Sequence, residues 1–156
     1  MRDRTITLRK PIDSDFEQIL LIMQDPVASE VSKTFSRTRD EFRTQWDDRV
    51  TSPACVVRTI VCEGKVVGRV NSFPKGNEVH VGYRIARSHW GQGLMSEVLG
   101  LFLELVDHRP LFARAAKSNI GSCRVLEKNG FVLIDEYEVA ETDRGMACVE
   151  CRFRLS

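Results

Sequence analysis

Long apolar segments are absent from the sequence. No stretch approaches the roughly 18 consecutive apolar residues that a membrane-spanning helix needs. Residues 1–10 alternate polar and apolar side chains and show no apolar segment of a signal peptide. The sequence therefore predicts a cytoplasmic protein that does not enter a membrane.

A surplus of charge of one sign is also absent, because 23 basic residues balance 22 acidic residues and leave a net charge of +1. Proteins dedicated to nucleic acid usually carry a strong basic excess, so this balance argues against a nucleic-acid partner. It still leaves room for one anionic ligand at a local site.

Paired metal-ligand motifs are missing as well. The sequence has five cysteines, and an odd number without a signal peptide indicates reduced thiols. Cys148 and Cys151 form a single CxxC spacing, but a zinc site would need two further ligands at a similar spacing. We therefore expect no bound metal and no redox role for this pair.

The composition fits one globular domain over residues 1–156, since 42% of the residues are hydrophobic and 29% charged. Periodicity and turn residues predict the order β α α β β β α β α β β. Capping boxes that begin at Ser14 and Thr38 mark the first two helices, with an irregular or short helical link over residues 27–37 between them. Asn129 and Gly130 end the helix over residues 119–128 with a left-handed cap. In the helix over residues 94–106, four residues form the stripe expected in the core: Leu94, Val98, Leu101 and Leu105.

The strand pattern predicts the fold class. Three consecutive strands over residues 54–61, 65–72 and 78–86 are joined by short turns, so this part of the sheet should be antiparallel. We therefore predict a mixed α/β (α+β) fold with a mostly antiparallel sheet of six to seven strands and about four flanking helices.

Two glycines stand between the strand over residues 78–86 and the helix over residues 94–106. Gly91 and Gly93 allow a tight turn and a close approach of the backbone to a ligand. The first amides of the helix lack partners and can bind phosphate, but a plain strand-to-helix turn looks the same. A dinucleotide fingerprint lacks its third glycine here, and a P-loop lacks its Gly-Lys-Ser/Thr.

Two segments carry a family resemblance. Residues 82–97 read GYRIARSHWGQGLMSE, and residues 119–131 read NIGSCRVLEKNGF. Together, at this spacing and after two helices, they resemble the GNAT superfamily of N-acetyltransferases, in its RimJ/RimL-like branch of ribosomal-protein and small-amine acetyltransferases. The resemblance covers nearly the whole chain and implies a GNAT fold whose sheet is splayed at the CoA site.

The resemblance implies an acyl-CoA-dependent N-acetyltransferase that passes acetyl directly from acetyl-CoA to a primary amine. In the family, the pantetheine arm lies in the gap of the sheet, and amides of the glycine loop bind the pyrophosphate. The implied cofactor contacts are Ile85, Ala86, Trp90, Gly91, Gln92, Gly93, Leu94, Met95, Ser96, Asn119 and Ser122. A homodimer is a further implication.

Three positions depart from the superfamily pattern. Trp90 stands where many members have Gln or Arg, and Met95 where they have Gly or Ala. Leu126 stands where many carry the tyrosine that protonates the leaving thiolate, so the resemblance assigns this role to Ser122. Tryptophan at position 90 is common in this branch, whereas Met95 and Leu126 leave open a catalytically silent acyl-CoA-binding or sensor module.

A base must accept the proton of the attacking amine. Glu78, His80 and Gly82 share one strand face, and many relatives have glutamate at position 80. Histidine titrates near neutral pH, so His80 is the first candidate and Glu78, acting through water, the second. Three arginines are expected to be solvated, with one available to the CoA 3′-phosphate: Arg84, Arg87 and Arg124.

Interpretations without a catalytic function also remain open. His80 can be a surface residue of its strand, Ser122 can be a packing residue of its helix, and the chain can be a structural domain without cofactor. The sequence does not identify the acceptor, which we expect among protein N-termini, polyamines, amino acids and aminoglycosides.

Overall fold

The computed structural model describes residues 4–156, so Met1 to Asp3 of the segment considered for a signal peptide lie outside it. Within these residues, seven strands form one sheet with five helices, which confirms the predicted mixed fold. The strands are β1 (Ile6–Arg9), β2 (Val56–Cys62), β3 (Lys65–Lys75), β4 (Glu78–Ile85), β5 (Leu111–Ala116), β6 (Val132–Val139) and β7 (Cys148–Leu155). The helices are α1 (Phe16–Met23), α2 (Pro26–Ser32), α3 (Arg39–Thr51), α4 (Leu94–Leu105) and α5 (Ile120–Lys128). None of the helices in residues 4–156 has the length and apolar character to cross a membrane.

The sheet changes direction once. Its order is β1-β2-β3-β4-β5-β7-β6, and every pair is antiparallel except β4 and β5. These two parallel strands share one bridged position, His80 opposite Phe112. Because the strands diverge beyond this position, a gap opens within the sheet, as the resemblance implied.

Apolar residues cover both faces of the sheet. On one face, α1 and α3 form an aromatic cluster around Phe16, Phe42 and Trp46. On the other face, α4 and α5 pack on residues such as Val70 and Leu111. The gap between β4 and β5 therefore lies between two rigid layers.

The predicted stripe of α4 is half wrong. Leu101 and Leu105 are 40% and 47% exposed, whereas Leu94 and Val98 are buried. The buried side continues through Met95, Leu99, Phe102 and Val106. Apolar residues occur around most of this helix, so periodicity alone did not define which side faces the sheet.

The first helix begins differently from the prediction. Ser14 does not cap it, because residues 13–15 form a 3-10 turn that leads into α1. The buried Asp15 carboxylate instead accepts hydrogen bonds from the Ile12 amide (3.0 Å), Thr59 Oγ1 (2.8 Å) and the Arg9 guanidinium (2.7 and 2.8 Å). Burial disfavours its charge, but these bonds outweigh that cost and lower the pKa of Asp15.

Other local predictions are confirmed. The Thr38 hydroxyl accepts from the Glu41 amide, and the Glu41 carboxylate accepts from the Thr38 amide, as in a capping box. Gly130 has the predicted left-handed conformation after α5, with φ of 89°. The link over residues 27–37 contains α2, where Pro26 takes the first position behind Asp25.

Candidate active site

The gap between β4 and β5 forms the large cleft of the molecule, about 740 Å³ in volume. Its walls come from β4, β5, α2, the first turn of α4 and one side of α5. Of the predicted cofactor contacts, nine line it: Ile85, Trp90, Gly91, Gly93, Leu94, Met95, Ser96, Asn119 and Ser122. Ala86 and Gln92 do not line it, and neither do His80 and Glu78.

The glycine loop ends at an open helix terminus. Gly91 and Gly93 have φ angles of 72° and 74°, a region that side chains with a Cβ rarely adopt. Gly93 is the residue before α4, and no side chain caps the helix there. The Arg4 guanidinium holds the loop by donating to the Gln92 carbonyl at 3.1 Å. The first amides of α4 thus face the cleft without side-chain partners, where they can bind an anion.

Backbone groups at the end of β4 divide between the sheet and the cleft. The Ala86 amide donates to the Val67 carbonyl at 2.7 Å, so it belongs to the sheet. Neighbouring residues of an antiparallel strand alternate in direction, so the Ile85 amide points toward the gap. Its carbonyl accepts from Trp90 Nε1 at 3.2 Å, which fixes the indole beside the loop.

A pair of hydroxyl groups lies within the cleft. Ser122 Oγ is 2.8 Å from Tyr83 Oη, and the tyrosine hydroxyl also lies 3.3 Å from the Ser122 carbonyl. Burial raises the pKa of Tyr83, so its hydroxyl stays protonated. Asn119 Oδ1 accepts from the Ser122 amide at 3.2 Å and so holds the serine at the start of α5. Leu126 is fully buried in the core.

Tyr83 was missed in the sequence. The family pattern predicts a tyrosine only at position 126 in α5, whereas Tyr83 comes from β4 on the opposite wall. The only signal for it was the two-residue period of β4, which sends Tyr83 and Gly82 to different faces.

His80 sits where β4 and β5 meet. Its ring lies between those of Phe73 and Phe112, with centroids 6.1 and 5.9 Å away. Nε2 is 3.0 Å from Glu78 Oε1, and the other carboxylate oxygen of Glu78 binds Arg152. Burial lowers the pKa of His80 despite the neighbouring carboxylate, so the imidazole is neutral at neutral pH. The hydrogen bond from Arg152 lowers the pKa of Glu78.

The arginines differ in their surroundings. Arg84 is not a solvated charge as predicted, because it donates to the Met23 carbonyl at 3.1 Å and to Ser32 Oγ at 2.8 Å. Arg87 is exposed and pairs with Asp25. Two cations on successive turns of α5 line the cleft and can meet a phosphate: Arg124 and Lys128.

The cysteines do not form a site around the CxxC spacing. All five are free thiols, and Cys148 and Cys151 stand three residues apart on β7. Residues at that spacing point to opposite faces of a strand.

This geometry agrees with a comparison of the sequence with known families. Residues 5–132 match the sequence profile described as an acetyltransferase (GNAT) domain. The chain belongs to the GNAT acetyltransferase family. Among curated proteins, none matches the chain closely enough in sequence to count as a relative.

Solved structures with the same fold include several acetyltransferases. RimL, the ribosomal L7/L12 alpha-N-protein acetyltransferase in complex with coenzyme A, is 19% identical with a TM-score of 0.78, over 97% of this chain and 93% of that one. The spermidine N-acetyltransferase of Vibrio cholerae, in complex with CoA and spermine, is 15% identical with a TM-score of 0.79, over 96% and 94%. At these identities the likeness shows the GNAT fold alone.

Proposed function

We propose that this GNAT protein transfers the acetyl group of acetyl-CoA directly to a primary amine on a small molecule or a protein N-terminus. The main support for this proposal is the open N-terminus of α4 at the mouth of the gap between β4 and β5. An anionic head group and a long, narrow arm fit this combination. Similar solved structures that contain CoA support the same cofactor.

The cleft suggests how CoA is held. Amides of the loop and of the first turn of α4 would bind the pyrophosphate, with the helix dipole adding to the attraction. Arg124 and Lys128 would reach the 3′-phosphate. The Ile85 amide and the Asn119 side chain would pair with the pantetheine arm. The burial of the Met95 side chain in the core is compatible with phosphate binding at the loop.

The proposed reaction is attack of a neutral amine on the thioester carbonyl, followed by loss of CoA thiolate. The thiolate needs a proton, and Ser122 Oγ is the hydroxyl that we assign to it. Tyr83 can donate its own hydrogen to Ser122 Oγ, which leaves the serine hydrogen free to point into the cleft. The protonated state of Tyr83 suits this relay.

The proton of the attacking amine needs a separate acceptor. His80 and Glu78 lie outside the cleft lining and bind each other, so direct contact with the amine is not favoured by their placement. We propose that the proton leaves through water in the cleft, while the His80–Glu78 pair positions the junction of β4 and β5.

Assembly and location are proposed on separate grounds. Edge strand β6 exposes Val132, Leu133 and Ile134 by 63%, 47% and 46%, which supports a homodimer through this edge. The five free thiols support a reducing, cytoplasmic compartment. Sedimentation equilibrium would contradict the dimer if only the mass of one chain appeared.

Calorimetry and thiol release together test the proposed activity. We expect saturable binding of acetyl-CoA and the release of free CoA thiol only when an amine is added. Binding without release from any amine would favour a silent sensor module, and no binding at millimolar CoA would reject both functions.

A further inference from the structure

A second cavity of about 230 Å³ adjoins the cleft. It lies beneath α1 and α3, on the sheet face opposite the cores of α4 and α5. Arg84 and Thr34 line both the cavity and the cleft, so the two spaces meet there. A small molecule can therefore place one end in each.

Arg69 lines this cavity without a hydrogen-bond partner among the residues that the structure describes. Arg69 is 7% exposed, and its side chain donates no hydrogen bond within the described residues 4–156. Arg69 Cζ lies 5.3 Å from the centroid of the Phe42 ring, which covers one face of the guanidinium. The ring offers no hydrogen-bond acceptor in the guanidinium plane, so the N–H groups stay without acceptors. Burial, followed by the nearby cations Arg49 and Arg84, lowers the pKa of Arg69 to about 9.

The surroundings of Arg69 are positively charged. Arg37 and Arg144 also line the cavity. The Glu41 carboxylate binds Arg144 and is not among the residues that line the cavity. Because an unpaired buried charge is costly, the cavity is suited to an anionic group.

A neutral group in the cavity is also unmatched. Gln45 Oε1 is buried and has no hydrogen-bond partner among the described residues. Rotation of the amide would present its Nε2 to the same space, since the two ends of a glutamine side chain are nearly interchangeable. An oxyanion could thus receive charged and neutral donors together.

We propose that this cavity binds a carboxylate or phosphate group carried by the amine acceptor. Arg69 holds the oxyanion, and Arg37 and Arg84 strengthen the positive field. Arg84 stands opposite Arg69 in the sheet, and Gly82 lies two residues along β4 toward its start, so the amine of a compact acceptor reaches the cleft. The same field repels polyamines. This proposal names the acceptor class and rests on the proposed acetyl transfer.

The first test compares matched acceptors at saturating acetyl-CoA. α-Amino acids are paired with their α-amides, and O-phosphoethanolamine with ethanolamine. We expect the anionic member of one or both pairs to have a kcat/KM about tenfold or more higher, as an ionic hydrogen bond predicts. Comparison of the carboxylate arm with the phosphate arm identifies the oxyanion.

Variants assign the effect to Arg69. Arg69→Met should abolish the preference and Arg69→Lys should retain part of it, while the exposed-site control Arg154→Gln should leave it unchanged. CoA affinity should stay the same in all three. Arg69→Met should also keep or raise the Tm, because an apolar side chain replaces an unpaired buried charge. Loss of Tm together with an unchanged preference would assign Arg69 a structural role and overturn the proposal.

A binding measurement separates this proposal from the proposed function. The Tm of the CoA-bound protein should rise with O-phosphoethanolamine or with an α-amino acid, but not with ethanolamine or the matched α-amide, and Arg69→Met should remove the rise. This result would support the anion site even if no amine were acetylated. Acetylation of many amines with equal kcat/KM for charged and uncharged partners, and no such rise, would overturn the anion site and leave acetyl transfer standing.

Discussion

Two hydroxyl groups come from elements that face each other across the cleft. Tyr83 belongs to β4 and Ser122 to α5, and the 2.8 Å between their oxygens depends on the way these elements close around the gap. The serine takes its place through the Asn119 cap, which fixes the first turn of α5. In the proposed mechanism, this hydroxyl pair would form a short path for a proton.

Substitution of Ser122 tests this path. We expect Ser122→Ala to lower kcat on the order of a hundredfold by removing the thiolate donor, with little change in CoA affinity. Tyr83→Phe should lower kcat by about three- to tenfold, since it removes one neutral hydrogen bond behind the serine. Steady-state thiol release measures kcat, and calorimetry measures CoA affinity. An unchanged kcat in Ser122→Ala would show that the thiolate leaves without this donor.

For His80 we expect an effect on stability rather than on proton transfer. Its ring packs between Phe73 and Phe112 at the junction of β4 and β5, so we expect His80→Gln to lower Tm and kcat. The shape of the pH–rate profile should stay the same, because the ring does not line the cleft. The pKa of His80 is lowered by burial, so a catalytic imidazole would give an acidic limb below its ordinary value. Disappearance of such a limb in His80→Gln would identify His80 as the base after all.

At the level of elements, the turn between β4 and α4 combines left-handed glycines with the proposed phosphate-binding helix end. Gly93 has φ of 74° and open space around its Cβ position, so a substitution strains the backbone without a steric clash. Gly64, in the turn between β2 and β3, has φ of 77° and equally open surroundings. The two positions differ in one respect: only Gly93 precedes the open N-terminus of α4.

Gly64 therefore serves as a control for the substitution of Gly93. Gly93→Ala and Gly64→Ala should each lower the free energy of unfolding by about 1 kcal/mol, the cost of a left-handed Ala. Only Gly93→Ala should also weaken CoA binding, because the strained loop shifts the amides of α4. Denaturant unfolding measures the free energy of unfolding, and calorimetry measures CoA affinity. Equal CoA affinities in the two variants would argue against a phosphate site at this helix.

The elements also show what local sequence can predict. The Thr38 box and Gly130 were read correctly, because capping depends on residues three or four positions apart. Ser14 was misleading, because Asp15 is held by the nearby Arg9 and Ile12 and also by Thr59, 44 residues away. The order of elements and the glycine loop were thus predictable, whereas helix orientation and starting residues depended on tertiary contacts.

The same limit applies to the site at the scale of the whole molecule. The glycine loop could be recognised in the sequence because its residues are contiguous, whereas the residues of the proposed acceptor cavity gave no charge signal. Arg69 became informative only when β3 paired with β4 and α3 covered it. Its alternation with the apolar Val70 along β3 is ordinary, so neither its burial nor its lack of a partner was visible in the chain.

The sheet as a whole consists of two halves with a weak junction. Strands β1 to β4 form one half and β5, β7 and β6 the other, and one bridged position joins them. A ligand in the gap would contact β4 and α4 on one side and β5 and α5 on the other. We therefore expect CoA to stabilise the junction as well as the loop.

Thermal unfolding and hydrogen exchange test this expectation. At a CoA concentration of about 100 Kd, binding to the folded state alone adds about 2.7 kcal/mol to the free energy of unfolding. For a chain of this size the gain corresponds to a Tm rise of about 5–10 °C. Exchange should slow in β5 and α5 as well as in β4 and α4, because the ligand holds both halves. The Gly93→Ala variant at the same CoA concentration should show a smaller rise, while Gly64→Ala should match the native sequence. Protection limited to the loop and α4 would mean that CoA does not occupy the gap, and the proposed course of the pantetheine arm would then be wrong.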